Sequence, residues 1–197
     1  MKPAVWNMDS TTTIGGHPVR AVGSPRVTDT DRGKAILFDG TGDGLFIDAL
    51  PVAGWREFTV EVLFRPDAGG LHEQRFVHLQ EAGTENRIML ETRLNPDGTW
   101  YADSFMKSGN NAKALIDPNN VHPSGKWYVL SLVYDGRTMR HYVNGAYEMS
   151  HDIAFEPLRD GTTSVGVRQN LVHWFKGAVK TLRFTPRALE ADELLMP

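Results

Sequence analysis

Apolar and polar positions alternate in steps of two over much of this 197-residue chain, the pattern of strands that cover one face and solvate the other. Phe58, Val60, Val62 and Phe64 alternate with Thr59, Glu61, Leu63 and Arg65, which places the first set against a core. Between Trp127 and Gly145 the pattern changes. Val129, Ser131 and Val133 point one way and Leu130, Leu132 and Tyr134 the other, so this strand is apolar on nearly both faces and belongs in the middle of a sheet, covered from both sides. Asp135-Gly136 supplies the positive-φ chemistry of a hairpin turn, Met139 to Val143 forms the return strand, and Asn144-Gly145 turns the chain again, an antiparallel meander. Further strands are predicted from Ala35 to Phe38 and Leu45 to Ile47 around a Gly-rich turn, and at Arg75 to Gln80, Arg87 to Leu94 and Trp100 to Lys107, with Asn95 to Gly98 turning between the last two. Val5 to Met8 reads as one short strand, and Pro18 to Val27, interrupted by Pro25, as one irregular edge strand.

Only Leu189 to Leu195 has helical character, enough for a single short turn, and no repeat of fixed period occurs. The predicted fold class is all-β, a two-sheet antiparallel β-sandwich of jelly-roll type. With 41% hydrophobic residues, 19 Gly and 11 Pro, residues 1–197 are expected to form one domain that buries roughly 70% of the surface exposed in the unfolded chain. The 21 Lys and Arg are offset by 24 Asp and Glu, which excludes nucleic acid as a partner held by bulk attraction. The absence of cysteine excludes disulfides and thiolate metal sites. No apolar run reaches the roughly 20 residues of a membrane span. Met1 to Thr13 lacks the charged start and apolar core of a secretory signal, so the chain is either cytosolic as written or secreted or periplasmic with its leader removed.

Candidate chemistry concentrates on one strand. Arg87, Met89, Glu91 and Arg93 share one face while Ile88, Leu90, Thr92 and Leu94 share the other, so three charges stand in a row beside an apolar face. Such a row is either a solvated outer face held by cross-strand ion pairs or the lining of a ligand surface. The next strand offers Tyr101, Asp103, Phe105 and Lys107 on one face, and the preceding one offers Arg75, His78 and Gln80. None of the seven histidines has close ligand spacing to another, which gives transition-metal binding no support.

Five phrases resemble successive strands of one family: FDGTGDGLFI (Phe38 to Ile47), FTVEVLFRP (Phe58 to Pro66), WYVLSLVYDG with HYVNG, SVGVR (Ser164 to Arg168) and FKGAVKTLRFTPRAL (Phe175 to Leu189). In this order, from about Ala35 to Leu189, the chain resembles the laminin-G-like, concanavalin A-like lectin and glucanase superfamily. The resemblance implies a carbohydrate-recognition domain that binds a polysaccharide or glycan on its concave sheet. The residues it brings forward for that surface are Arg75, His78, Arg87, Glu91, Arg93, Tyr101, Lys107 and Trp174, with Trp100 a further stacking platform. Two alternatives stay open. One is a polysaccharide-degrading enzyme, a lyase rather than a hydrolase, with Glu91, His141 and Tyr142 as catalytic candidates. The other is a protein-interaction or adhesion module, with apolar loops and a neutral sheet face. Hydrolysis is disfavoured because the nearest approach to the family's paired-carboxylate strand, Glu57-Phe58-Thr59-Val60-Glu61, has Thr at its middle position. No cofactor is required. The resemblance also points to a structural calcium held by Asp39 and Asp43, but aligning Gly177 to Lys180 sets Lys180 where an acidic ligand would stand, and a cation there opposes the metal.

Overall fold

The computed structural model describes residues 2–197. The chain opens with β1 (Ala4–Asn7), β2 (Thr13–Ile14), β3 (His17–Val22), β4 (Arg26–Thr30), β5 (Gly33–Asp39) and β6 (Gly44–Ile47). It continues through β7 (Phe58–Pro66), β8 (Glu73–Glu81), β9 (Arg87–Leu94), β10 (Thr99–Ser108), β11 (Asn111–Ile116) and β12 (His122–Pro123). The last strands are β13 (Tyr128–Tyr134), β14 (Thr138–Val143), β15 (Ala146–Asp152), β16 (Gly161–Val165) and β17 (Lys176–Thr185), followed by a single 3-10 turn at Ala191–Glu193. All pairings are antiparallel and form two sheets. The first runs β15-β14-β13-β7-β17-β5-β4, and the second β11-β10-β9-β8-β16-β6-β3-β2. This is the two-sheet jelly-roll sandwich that the alternation predicts.

The inner faces of both sheets supply the core. Phe58, Val60, Val62 and Phe64 of β7 meet Ile88 and Leu90 of β9, Trp100 and Met106 of β10 and Phe76 of β8 across the interior. Phe64 stacks on Phe76 at 4.4 Å and meets the edge of Trp100 at 5.3 Å. This settles Trp100: its ring is fully buried in the sandwich, so it is no stacking platform for a ligand.

Two departures from simple alternation matter for the outer faces. The stretch Pro18 to Val27 is two strands rather than one. Gly23, at φ 71°, and Pro25 turn the chain between β3 in the second sheet and β4 in the first. Gly23 is required there because a Cβ would stand 2.4 Å from the Gly42 carbonyl oxygen. β17 carries a bulge between Val179 and Thr181, and the register changes there. Before the bulge β17 pairs with β5, and beyond it with β1.

The two outer faces are finished differently. Over the first sheet, the segment after β17 returns across β7, β13 and β14. Leu189 and Leu194 pack on Val133 and Tyr142, and Thr59 Oγ1 donates to the Arg187 carbonyl at 2.9 Å while accepting from the Leu189 amide at 3.0 Å. This strap explains why the β13 strand is apolar on both faces. The outer face of the second sheet is crossed only by the loop from Arg168 to Trp174, which bonds to Arg75 and His78.

Candidate functional site

The outer face of β8, β9 and β10 is a set of cross-strand rungs. Glu73, Arg93 and Tyr101 form the first, Arg75, Glu91 and Asp103 the second, His78, Met89 and Phe105 the third, and Gln80, Arg87 and Lys107 the fourth. β8 can join this ladder only because it bulges between Arg75 and Val77. The extra residue, Phe76, turns into the core and restores the outward direction at His78.

The first two rungs lock together as an ion-pair network. Arg93 binds Asp103 Oδ2 through Nε at 2.9 Å and Nη2 at 2.7 Å, and also pairs with Glu73. Arg75 donates to Glu73 Oε2 at 2.7 Å. Its Nε stands 2.8 Å from Glu91 Oε2, but the two atoms are not aligned for a hydrogen bond. Glu91 and Asp103 are 1% and 2% exposed, so these carboxyls lie beneath their neighbours although they sit on an outer face.

Burial and the adjacent Asp103 carboxyl push Glu91 up to about 8, despite the pull of Arg75 and Arg93. Burial raises Asp103 as well, so the two carboxyls favour holding a proton between them. Glu73 goes the other way. Its hydrogen bond from Arg75 outweighs partial burial and holds it at about 2. His78 stays neutral because burial, reinforced by Arg168, Arg87 and Arg75, lowers it to about 3, and its Nδ1 accepts from the Gln169 amide at 3.0 Å.

Around this foundation stand aromatic and basic groups, of which Tyr101, Phe105 and Lys107 are partly exposed. The Arg87 guanidinium lies 4.8 Å over the Phe105 ring, Tyr101 meets His72 at 6.4 Å, and Lys107 is half-buried. The loop from Arg168 to Trp174 crosses the same face. His173 accepts from the Arg75 amide at 2.9 Å, and both Leu171 and His173 hold left-handed backbone, at φ 61° and 60°. Trp174 lies near Gly44 and Val167, on the β6 side of that loop, and does not join Tyr101. Arg75, His78, Arg87, Glu91, Arg93, Tyr101 and Lys107 therefore come together, and Trp174 stands apart. Glu73 is the member that sequence reasoning missed. Its signal was the Glu73, Arg75 alternation, which begins the polar face two residues before the predicted strand.

The catalytic candidates do not converge. His141 points into the sandwich at 1% exposure, with Nδ1 3.2 Å from Ser104 Oγ and Nε2 3.6 Å from Glu148. Burial lowers it to about 4. Tyr142, next along β14, faces the opposite way under the C-terminal strap. Glu91 is on the far side of the second sheet from both. Glu61, of the discounted hydrolase strand, is fully buried beneath the strap.

Asp39 and Asp43 serve the turn between β5 and β6. Asp39 Oδ1 accepts from the amides of Thr41, Gly42 and Asp43, and Asp43 accepts from the amides of Ser24 and Asp39. Burial raises Asp39, but the Thr41 hydroxyl and these amides more than offset it and leave the group at about 2. Lys180 is not the cation beside them. It falls in the β17 bulge, and its ammonium lies toward Gly33. Lys176 and Arg26 take that place, lining a cavity of about 270 Å³ with Asp39, Asp43 and Asp67. Among the described residues no group of three or more His, Asp or Glu side chains gathers as metal ligands.

The fold has many counterparts of known structure. Domain 4 of AbnA, an extracellular arabinanase from Geobacillus stearothermophilus solved with arabinotriose, superposes with a TM-score of 0.70 at 20% identity, covering 96% of this chain and 94% of that one. The CBM40 of the Ruminococcus gnavus IT-sialidase, bound to α2,3 sialyllactose, gives 0.63 at 15% identity over 81% and 94% of the two chains. The receptor-binding domain of botulinum neurotoxin D gives 0.68 at 13% identity, covering 97% of this chain and 50% of that one. No curated protein matches the chain in sequence. The family model of the concanavalin A-like lectin/glucanases superfamily matches residues 39–195, and the chain, a two-sheet sandwich throughout, belongs to that superfamily.

Proposed function

We propose that this protein is a carbohydrate-recognition domain that binds a polysaccharide or glycan on the outer face of the second sheet, over β8, β9 and β10. The observation that carries the reading is the contrast between the two outer faces. One is sealed by the C-terminal strap, and the other presents aromatic and basic side chains on a rigid polar base. Tyr101 and the Arg87–Phe105 pair offer flat surfaces for the C–H face of a sugar, while Lys107 and the outer edge of Arg93 offer hydrogen bonds to hydroxyl or acidic groups. Glu91, Asp103 and Arg75 act beneath them, fixing Arg93 in place. Carbohydrate ligands in the AbnA domain and in the sialidase module support the choice of ligand class.

Glycan arrays followed by calorimetry test the proposal, with arabino-oligosaccharides, sialyllactose and uronate oligomers as first probes. Tyr101→Ala and Lys107→Ala both alter side chains that are only half-buried, so neither should unfold the protein. Each is expected to weaken the best saccharide by about tenfold, about 1.4 kcal/mol. Absence of any saccharide binding, or equal binding by both variants, would remove the proposal.

A further inference from the structure

The same outer face extends past β8 to β16, β6 and β3, where it holds a second feature. Phe46 of β6 pairs across to Arg20 of β3 on one side and to Ser164 of β16 on the other, and Ser164 pairs to His78. Arg20, Phe46, Ser164, His78, Met89 and Phe105 thus form one rung across six strands. At one end Arg87 lies over Phe105, and at the other the Arg20 guanidinium lies 4.2 Å over the Phe46 ring. Four strand spacings of about 4.8 Å put the two rings about 19 Å apart. The Arg168 to Trp174 loop divides the face between them through its bond to His78.

Beside the Arg20–Phe46 pair is a cavity of about 380 Å³, lined by Pro18, Val19, Arg20, Phe46, Asp48 and Thr162 among others. Arg20 and Asp48 both line it, yet among the described residues neither has an ion-pair partner. The other guanidiniums of this face at β8 and β9, Arg75, Arg87 and Arg93, all have carboxylate partners. An arginine stacked on a ring keeps its planar fork free for a carboxylate, which it binds through two parallel bonds.

We propose that the cavity between β3, β6 and β16 is a second saccharide subsite, selective for a sugar unit that carries a carboxylate. The carboxylate sits on the free edge of Arg20, and Asp48 accepts hydroxyl protons from the same unit or its neighbour. The inference rests on the glycan reading of this face, and it makes acidic polysaccharides the substrate class.

The test uses the whole chain, with oligogalacturonate as the acidic probe and arabino-oligosaccharide as the neutral one. Titration is followed by calorimetry and by amide chemical shifts. Oligogalacturonate is expected to move the amide signals of Phe46 and Thr162. Arg20→Gln, at an exposed position, should weaken it at least tenfold and remove much of its salt dependence, leaving any neutral-sugar affinity within about twofold. Unchanged oligogalacturonate affinity in Arg20→Gln overturns the subsite. So do shifts confined to the Tyr101 and Phe105 region, although the glycan face itself would then stand. If neither probe nor any arrayed saccharide binds, both readings fall together.

Discussion

Arg183→Ala is expected to lower stability by about 3–5 kcal/mol, the usual consequence of leaving one member of a buried ion pair without its partner. Glu61 is fully buried on the outer side of β7, directly opposite Arg183 in the β7–β17 register. Its Oε2 is bonded to Arg183 Nε, and its Oε1 accepts from the Leu195 amide at 2.7 Å and from Ser131 Oγ at 3.4 Å. Without the guanidinium, two neutral donors would have to stabilise a carboxylate excluded from water, and the bond from Arg183 Nη2 to the Glu193 carbonyl would also go. The strap would then loosen over Val133 and Tyr142. Removing both charges together, in an Arg183→Leu, Glu61→Met double variant, should cost far less than the single change, because no ion is stranded. Urea unfolding measures both. An Arg183→Ala midpoint shift worth less than about 1 kcal/mol, or a double variant as unstable as the single one, would show that the pair does not anchor the strap.

That strap also marks where the sequence stopped being legible. The β13 hairpin could be read because its cues are local: two apolar faces, then Asp135-Gly136 at the turn. The cover that its second face needs lies more than fifty residues further on, in Arg187 to Leu195, where local pattern gives only a short helical turn. The polar row of Arg87, Glu91 and Arg93 was likewise visible from alternation, but alternation cannot say whether charges face water or each other. Cross-strand register decides that, by setting Arg93 opposite Glu73 and diagonal to Asp103, which its guanidinium reaches, and Arg75 against Glu91. Bulges account for the remaining differences. One at Phe76 lets Arg75 and His78 share a face although they are three residues apart, and one at Lys180 carries its ammonium away from Asp39. A bulge leaves no reliable mark in hydrophobic pattern, because a single inserted residue costs the chain little and only the partner strand reveals it.

Register therefore divides the site into two layers with different chemistry. The lower one, Glu73, Arg75, Glu91 and Asp103 with the inner edge of Arg93, spends its hydrogen bonds on itself. The upper one, Tyr101, Phe105 and Lys107, is partly exposed, with the Arg87 guanidinium packed over the Phe105 ring. On the proposed glycan reading, a lower layer held by its own ion pairs would reduce the entropy lost when the upper side chains are ordered on binding.

The lower layer should reveal itself as a fall in stability between pH 6.5 and 8.5. Glu91 is raised in the folded protein to about 8 from an ordinary value near 4.5, so across that interval the native state holds a proton that the unfolded chain has released. Stability then decreases as pH rises, and the effect ends once the native carboxyl has ionised. The other strongly shifted groups titrate mainly at lower pH, with the unfolded histidines adding a small opposite slope up to about pH 7.5. His78 and His141, lowered to about 3 and 4, contribute stability that is full above the ordinary histidine value and lost as pH falls toward theirs. Glu73, held at about 2, loses its contribution only below the ordinary carboxylate range. Above about pH 7.5 the slope therefore belongs to Glu91 and its coupled neighbour Asp103. One proton over about 1.5 pH units corresponds to about 2 kcal/mol. In Glu91→Gln, which mimics the protonated carboxyl, the fall from pH 6.5 to 8.5 should disappear, leaving the slight rise that the buried histidines contribute. Urea midpoints for the two proteins at both pH values decide the matter. An equal decline in wild type and Glu91→Gln would assign the titration to another group and leave Glu91 an ordinary ionised partner of Arg75.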